Sequence, residues 1–177
     1  ISTEELESVT TGARNAGLAS LFLVAMLLAW GIRSLRLVVA ILIALLAGLV
    51  WTAGFTALSI GHLNLVSVAF AVLFIGLGVD FGIHFTLRFR EERLGPGDQR
   101  EVMSRTGHAL ASPLGLSALA AASSFFSFMP TDYRGLSELG LIAGVGMFIA
   151  FAATFTVVPA FLSLFPPPAP SFPPVPF

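Results

Sequence analysis

The chain contains no cysteine, which excludes disulfides and thiolate metal sites and leaves the redox compartment unreadable. Lysine is also absent, so all nine basic residues are arginine. Charge of either sign is scarce. Asp, Glu, Lys and Arg make up 11% of the residues, where a soluble domain carries about 25%. The net charge is −1, so no bulk attraction to nucleic acid is expected. The three histidines, His62, His84 and His108, are too scattered for a ligand spacing, and neither a metal nor another cofactor is expected. There is no glycine-rich phosphate loop, nucleophile elbow or paired-carboxylate arrangement, so an enzyme is not expected.

What fills the chain instead is apolar sequence, 56% of the residues, in runs too many and too long for a soluble core. The expected class is an all-α membrane protein with five transmembrane helices. The opening, ISTEELESVT, is polar and acidic rather than basic then apolar, so no cleavable signal peptide is visible. It also lacks an initiating Met, so the chain reads as a piece of something longer. Ser2 or Thr3 can cap a helix whose first turn holds Glu4, Glu5 and Glu7. That helix runs without a breaker to about residue 32, and Arg33 and Arg36 flank a tight turn before a second span at about 35–58. Residues 37–79 hold no Asp, Glu, Lys or Arg. A run of that length exceeds one crossing of a hydrocarbon core of about 30 Å, and its one polar cluster, around Gly61, His62 and Asn64, marks the break.

A third span follows at about 64–92. Gly95-Pro96-Gly97 is a loop, and Asp98 with Glu101 has capping-box spacing for a cytoplasmic amphipathic helix at about 99–111. Ser112-Pro113 then reads as a cap followed by proline at the first helical position of a fourth span, 113–129. The alternative is a proline inside one longer helix. The fifth span is about 135–164, with Gly140, Gly144 and Gly146 suited to close packing. Residues 1–165 therefore form the membrane bundle, and 166–177 a Pro-rich tail of polyproline character.

The third span carries the chemistry. Asp80 is an acid inside an apolar run, costing roughly 2.5–3.5 kcal/mol at a helix centre, which is retained where it works or is paired. Helical periodicity puts Gly76, Asp80 and His84 on one stripe and Gly78 and Gly82 on a roughly opposite one. The three glycines suit close helix packing. Asp80 is read as a protonatable site in an ion pathway, with a structural hydrogen bond to a neighbouring helix as the alternative. His84 is placed to pair with it or to sit at the interface bonded to backbone. Low-dielectric surroundings raise a carboxyl pKa towards the range where protons load and release. Ser123, Ser124, Ser127 and Thr131 either line a wet path or bond back to their own helix. His62 and Asn64 read as turn residues, and His108 as interfacial.

The arginines set an orientation. Arg33 and Arg36 join the first two spans, and Arg88, Arg90, Arg93, Arg100 and Arg105 lie between the third and fourth. The positive-inside rule makes these connections cytoplasmic, with the N-terminus periplasmic and the C-terminus cytoplasmic.

GLGVDFGIHFTLRFREER resembles the fourth transmembrane helix of the resistance–nodulation–division (RND) superfamily, in the MMPL/Patched-like branch of lipid exporters. GHLNLVSVAFAVLF and FMPTDYRGLSELGLIAGVG are most similar to its hopanoid-transporter subgroup. The resemblance implies a bundle of helices two to six of one half, also the size of a sterol-sensing domain, in a multi-pass protein of the bacterial inner membrane. It implies a proton relay at Asp80, with Phe81 where the family usually has Tyr and with His84 beside it. It further implies protons and a hopanoid-like membrane lipid as partners, and a second RND bundle, from the same full-length chain or a homodimer, to complete the relay. The function implied is the transmembrane part of a proton-driven lipid exporter. Two alternatives stand beside it: a sterol-sensing-like lipid-binding bundle that does not pump, and a SecD/SecF-like export auxiliary.

Overall fold

A computed structural model describes the backbone of residues 3–61 and 65–167. His62 and Asn64, and the Pro-rich tail from residue 168, lie outside the described residues. Those described contain five helices: α1 (Thr3–Ile32), α2 (Leu35–Ser59), α3 (Leu65–Glu92), α4 (Gln99–Phe126) and α5 (Arg134–Leu164). Each contains a stretch long and apolar enough to cross a membrane, and the chain is an all-α membrane protein.

The helices begin and end where local chemistry requires. Between α1 and α2 the chain turns in two residues, with Arg33 in the left-handed region at φ 52° and its N–H donating to the Ala29 carbonyl. Asp98 caps α4, its carboxylate accepting from the Glu101 N–H at 2.8 Å. Gly97 precedes it at φ 128°, a conformation that excludes a Cβ. At the other end, α4 and α5 are joined by a short turn whose Met129 carbonyl accepts from the Ser137 hydroxyl at the start of α5, at 2.8 Å.

One helix departs from the sequence reading. The expected break at Ser112-Pro113 does not occur: α4 is continuous through Pro113 and stops at Phe126, three residues before the expected end of the span. A proline removes one backbone donor and crowds the preceding turn. The carbonyl left without its donor is that of Ala109, and transmembrane helices tolerate such a proline. Pro113 itself faces outward. The amphipathic helix and the fourth span are therefore one rod.

The core is built by α2, α3 and α5. Phe74, Phe85 and Phe89 of α3, Leu37 and Ile41 of α2, and Ile142, Val158 and Leu162 of α5 are almost wholly buried. α1 flanks the α2/α3 side and α4 flanks the α3/α5 side, so α3 touches each of the other four. In lipid, such contacts hold by close packing and not by exclusion of water, and small residues set how near the helices come. A Cβ on Gly82 would lie 2.8 Å from Ile41, and one on Gly78 would lie 3.1 Å from Leu45, so α2 and α3 touch through glycine. On α5, a Cβ at Gly140 would meet the Phe125 carbonyl oxygen at 2.6 Å, and one at Gly146 the Phe70 ring at 2.7 Å.

The arginine-rich end is tied across the sequence. Arg90 at the end of α3 donates to the Ile32 carbonyl that ends α1, at 3.2 Å. Gln99 at the start of α4 donates to Leu162 near the end of α5, at 2.5 Å. Arg36 donates to the Pro166 carbonyl. The Ile32 and Leu162 carbonyls are ones that a helix end leaves without an intrahelical partner, and Pro166 lies two residues past the end of α5. Glu92 receives Arg88 at 2.7 Å and Arg105 at 3.0 Å, which fastens α3 to α4.

Candidate functional site

Helical geometry sets Asp80 about 18 Å along α3 from Glu92, near the middle of the rod. Successive i, i+3 and i+4 positions put Leu73, Gly76, Asp80, His84 and Leu87 on one line, and all five are exposed. Asp80 and His84 therefore share a face, and that face is open. Among the described residues neither side chain has a hydrogen-bond or ion-pair partner, and the two are not paired with each other. A Cβ on Gly76 would meet nothing within 4 Å. The three glycines thus divide: Gly78 and Gly82 are buried against α2, and Gly76 packs against none of the described residues.

Phe81 is separated from Asp80 and His84. It is 4% exposed and turned to α5, where its ring meets Phe151 edge-on at 6.3 Å. Phe85 meets Phe155 in the same way at 5.5 Å, and Phe151 and Phe155 are themselves 4.6 Å apart. These four rings form a rigid seam between α3 and α5 directly behind the open face. The pairs 81/85 and 151/155 repeat at helical spacing, a signal in the sequence that was open to reading and points to packing.

The hydroxyl residues bond locally, Thr131 forward to the Tyr133 carbonyl at 3.4 Å in the α4–α5 turn and the serines back along the chain. Ser123 donates to Leu119, Ser124 to Ala120 and Ser127 to Ser124. Buried Thr52, Thr56, Thr86 and Thr106 do the same towards preceding carbonyls. His108 is exposed on α4 with Nδ1 2.9 Å from the Ser104 carbonyl. No cluster of metal-ligating side chains occurs among the described residues. Outside the apolar stretch, burial holds the Arg93 guanidinium below its ordinary pKa, and its charge sits over the Phe89 ring.

Sequence reasoning missed one feature beside this face. An apolar groove of about 320 Å³ runs between α1 and α3, lined by Val24, Leu28, Gly31 and Ile32 on one side and Val79, Ile83 and Leu87 on the other. The spacing of 79, 83 and 87 was visible, but nothing in it reveals which helix lies opposite.

The open acid at mid-helix is thus backed by a packed aromatic seam. Residues 3–174 match the MMPL family. The chain belongs to that family. It is 46% identical over 171 residues to the hopanoid transporter HpnN of Burkholderia multivorans, covering 97% of this chain and 20% of that protein. Identity to the hopanoid transporter HpnN of Rhodopseudomonas palustris is 42% over 167 residues, covering 94% of the chain and 19% of that protein. This MMPL chain thus spans about a fifth of the length of the curated relatives it matches.

Proposed function

We propose that this MMPL bundle is the transmembrane part of a proton-motive-force-driven exporter of hopanoids or similar lipids, with Asp80 as the proton-carrying group. Membership of the family and identity to two hopanoid transporters support the lipid-transport reading. The observation that supports Asp80 is its position, at mid-helix, exposed and without a partner among the described residues. A carboxylate facing hydrocarbon costs several kcal/mol, so the open α3 face requires a cover. In this reading the cover is a second RND bundle, from the same full-length chain or a second copy, bringing polar groups to Asp80 and His84. The protein lies in the bacterial inner membrane with its N-terminus periplasmic, because seven of the nine arginines sit at the end where α1, α3 and α5 finish.

In the proposed cycle Asp80 takes a proton from the periplasmic side and releases it inward. One elementary charge moved through the membrane potential supplies about 2.3 kcal/mol per 100 mV. Neutral Asp80 tolerates an apolar neighbour and ionised Asp80 does not, so protonation changes how α3 sits against its cover. Because α3 touches all four other helices and is stiffened by the Phe81/Phe85 seam, its displacement carries the bundle with it. Lipid movement follows from that rocking.

The test is hopanoid export in cells carrying the full-length transporter with Asp80→Asn, at matched abundance in the membrane. Loss of export at normal abundance supports the reading, and retained export refutes it. The rival is a sterol-sensing-like bundle that holds lipid without pumping, which the apolar α1/α3 groove would also serve. It requires no proton flux and tolerates Asp80→Asn.

A further inference from the structure

The α1/α3 groove ends among charges that the transport reading does not use. Its last lining residues, Gly31 and Ile32 on α1 and Leu87 on α3, lie at the arginine-rich end of both helices. Arg33 follows directly, exposed, its backbone held in the left-handed region. That conformation is strained for a residue with a Cβ, and glycine or asparagine would fill the position more easily. Among the described residues the Arg33 guanidinium has no partner. Arg90 is exposed on the opposite lip, with one nitrogen on the Ile32 carbonyl and its remaining donors available. The acids that follow Arg90 in sequence are engaged elsewhere: Arg88 holds Glu91 and Glu92, and Arg105 also holds Glu92. The side chains that line the groove are all apolar.

An apolar channel that begins in the hydrocarbon zone and ends between two cations matches one class of molecule. We propose that this groove binds an anionic phospholipid of the leaflet on the arginine side, with an acyl chain along Val24, Leu28, Val79 and Ile83 and its phosphate between Arg33 and Arg90. Basic pockets between membrane helices are suited to anionic headgroups, and guanidinium groups take phosphate oxygens in pairs. A volume of about 320 Å³ is within the range of small-molecule sites, roughly 300–1,000 Å³. The site requires only that the helices lie in a bilayer. It does not depend on Asp80 or on transport.

The experiment uses the purified full-length transporter in mild detergent. It is given phosphatidylglycerol and phosphatidylethanolamine of identical acyl composition in equal amounts, and retained lipid is counted by native mass spectrometry. The wild type retains phosphatidylglycerol in preference. Arg33→Asn removes the charge while easing the left-handed backbone, and it reduces that preference by about fivefold, the worth of one arginine at a membrane surface. Gly31→Leu fills the groove; a Cβ there meets nothing within 4 Å, so the fold is kept, and retention of both lipids falls. Equal retention of the two lipids by the wild type would overturn the proposal. So would a Gly31→Leu variant that binds as much lipid as the wild type, the result expected if another segment of the longer protein covers the groove. If Asp80→Asn leaves export intact, the transport reading falls and this binding result still stands.

Discussion

Gly82→Ala tests how α2 and α3 are held together. The added Cβ would lie 2.8 Å from Ile41 Cγ2, 3.1 Å from Cγ1 and 3.3 Å from Cβ. Comfortable carbon contacts are about 3.5–4.0 Å, so the helices must part by roughly 1 Å. Ile41 cannot turn aside. It is 1% exposed, and a β-branched side chain in a helix is largely confined to one χ1 rotamer. Overpacking of this kind costs about 1–3 kcal/mol, against a gain of about 0.8–1.0 kcal/mol from replacing a helical glycine with alanine. The net expectation is a loss of up to about 2 kcal/mol. Gly54→Ala on α2 is the control: it meets nothing within 4 Å and keeps only the gain. Stability is read as loss of helicity on titrating the detergent-solubilised full-length protein with denaturing detergent. Ile41→Ala removes both γ carbons, so in the double variant the two effects do not add, and their coupling is about 1 kcal/mol or more. Equal stability of Gly82→Ala and Gly54→Ala, or strict additivity with Ile41→Ala, would refute the proposed glycine contact.

Three further outcomes are expected. Gly97→Ala forces a Cβ into a backbone at φ 128° and within 2.6 Å of the Glu101 carboxylate, so stability falls by about 1–3 kcal/mol; an unchanged thermal midpoint would show that the loop rearranges freely. Glu92→Gln weakens the links to Arg88 and Arg105, and discounting for partial exposure it costs about 1–2 kcal/mol, read as faster proteolysis of the α3–α4 connection; an unaltered cleavage rate would contradict it. Gly76→Leu meets none of the described residues, so helicity and membrane insertion stay at wild-type levels while, on the proposed function, hopanoid export falls because the bulk blocks the cover on α3; undiminished export would argue against a second bundle at that face.

Much of the fold follows from period and length. Apolar runs of helical length, punctuated by Arg33, Gly61, Gly95-Pro96-Gly97 and the Pro130 turn, are sufficient to count five helices. The capping relation of Asp98 to Glu101 is equally local. Pro113 misled for a physical reason: Ser-Pro is a good helix start, and whether the helix continues through it depends on the bilayer and the neighbouring helices, which the dipeptide does not encode. The stripe of Gly76, Asp80 and His84 was legible because i, i+4 spacing is a property of one helix. Which face lies open was not legible, nor was the turning of Phe81 to α5, since both depend on where α2 and α5 pack. The ties from Arg90 to Ile32 and from Gln99 to Leu162 join residues 58 and 63 positions apart, and no local pattern announces them. The groove between α1 and α3 was hidden for the same reason.

The most direct measurement of the central claim is hopanoid movement by the full-length transporter in proteoliposomes, with and without an imposed proton gradient, for the wild type and Asp80→Asn. The account predicts that the gradient drives transport in the wild type and has no effect on Asp80→Asn, which moves lipid no faster than protein-free vesicles. Gradient-driven transport that persists in Asp80→Asn would contradict it.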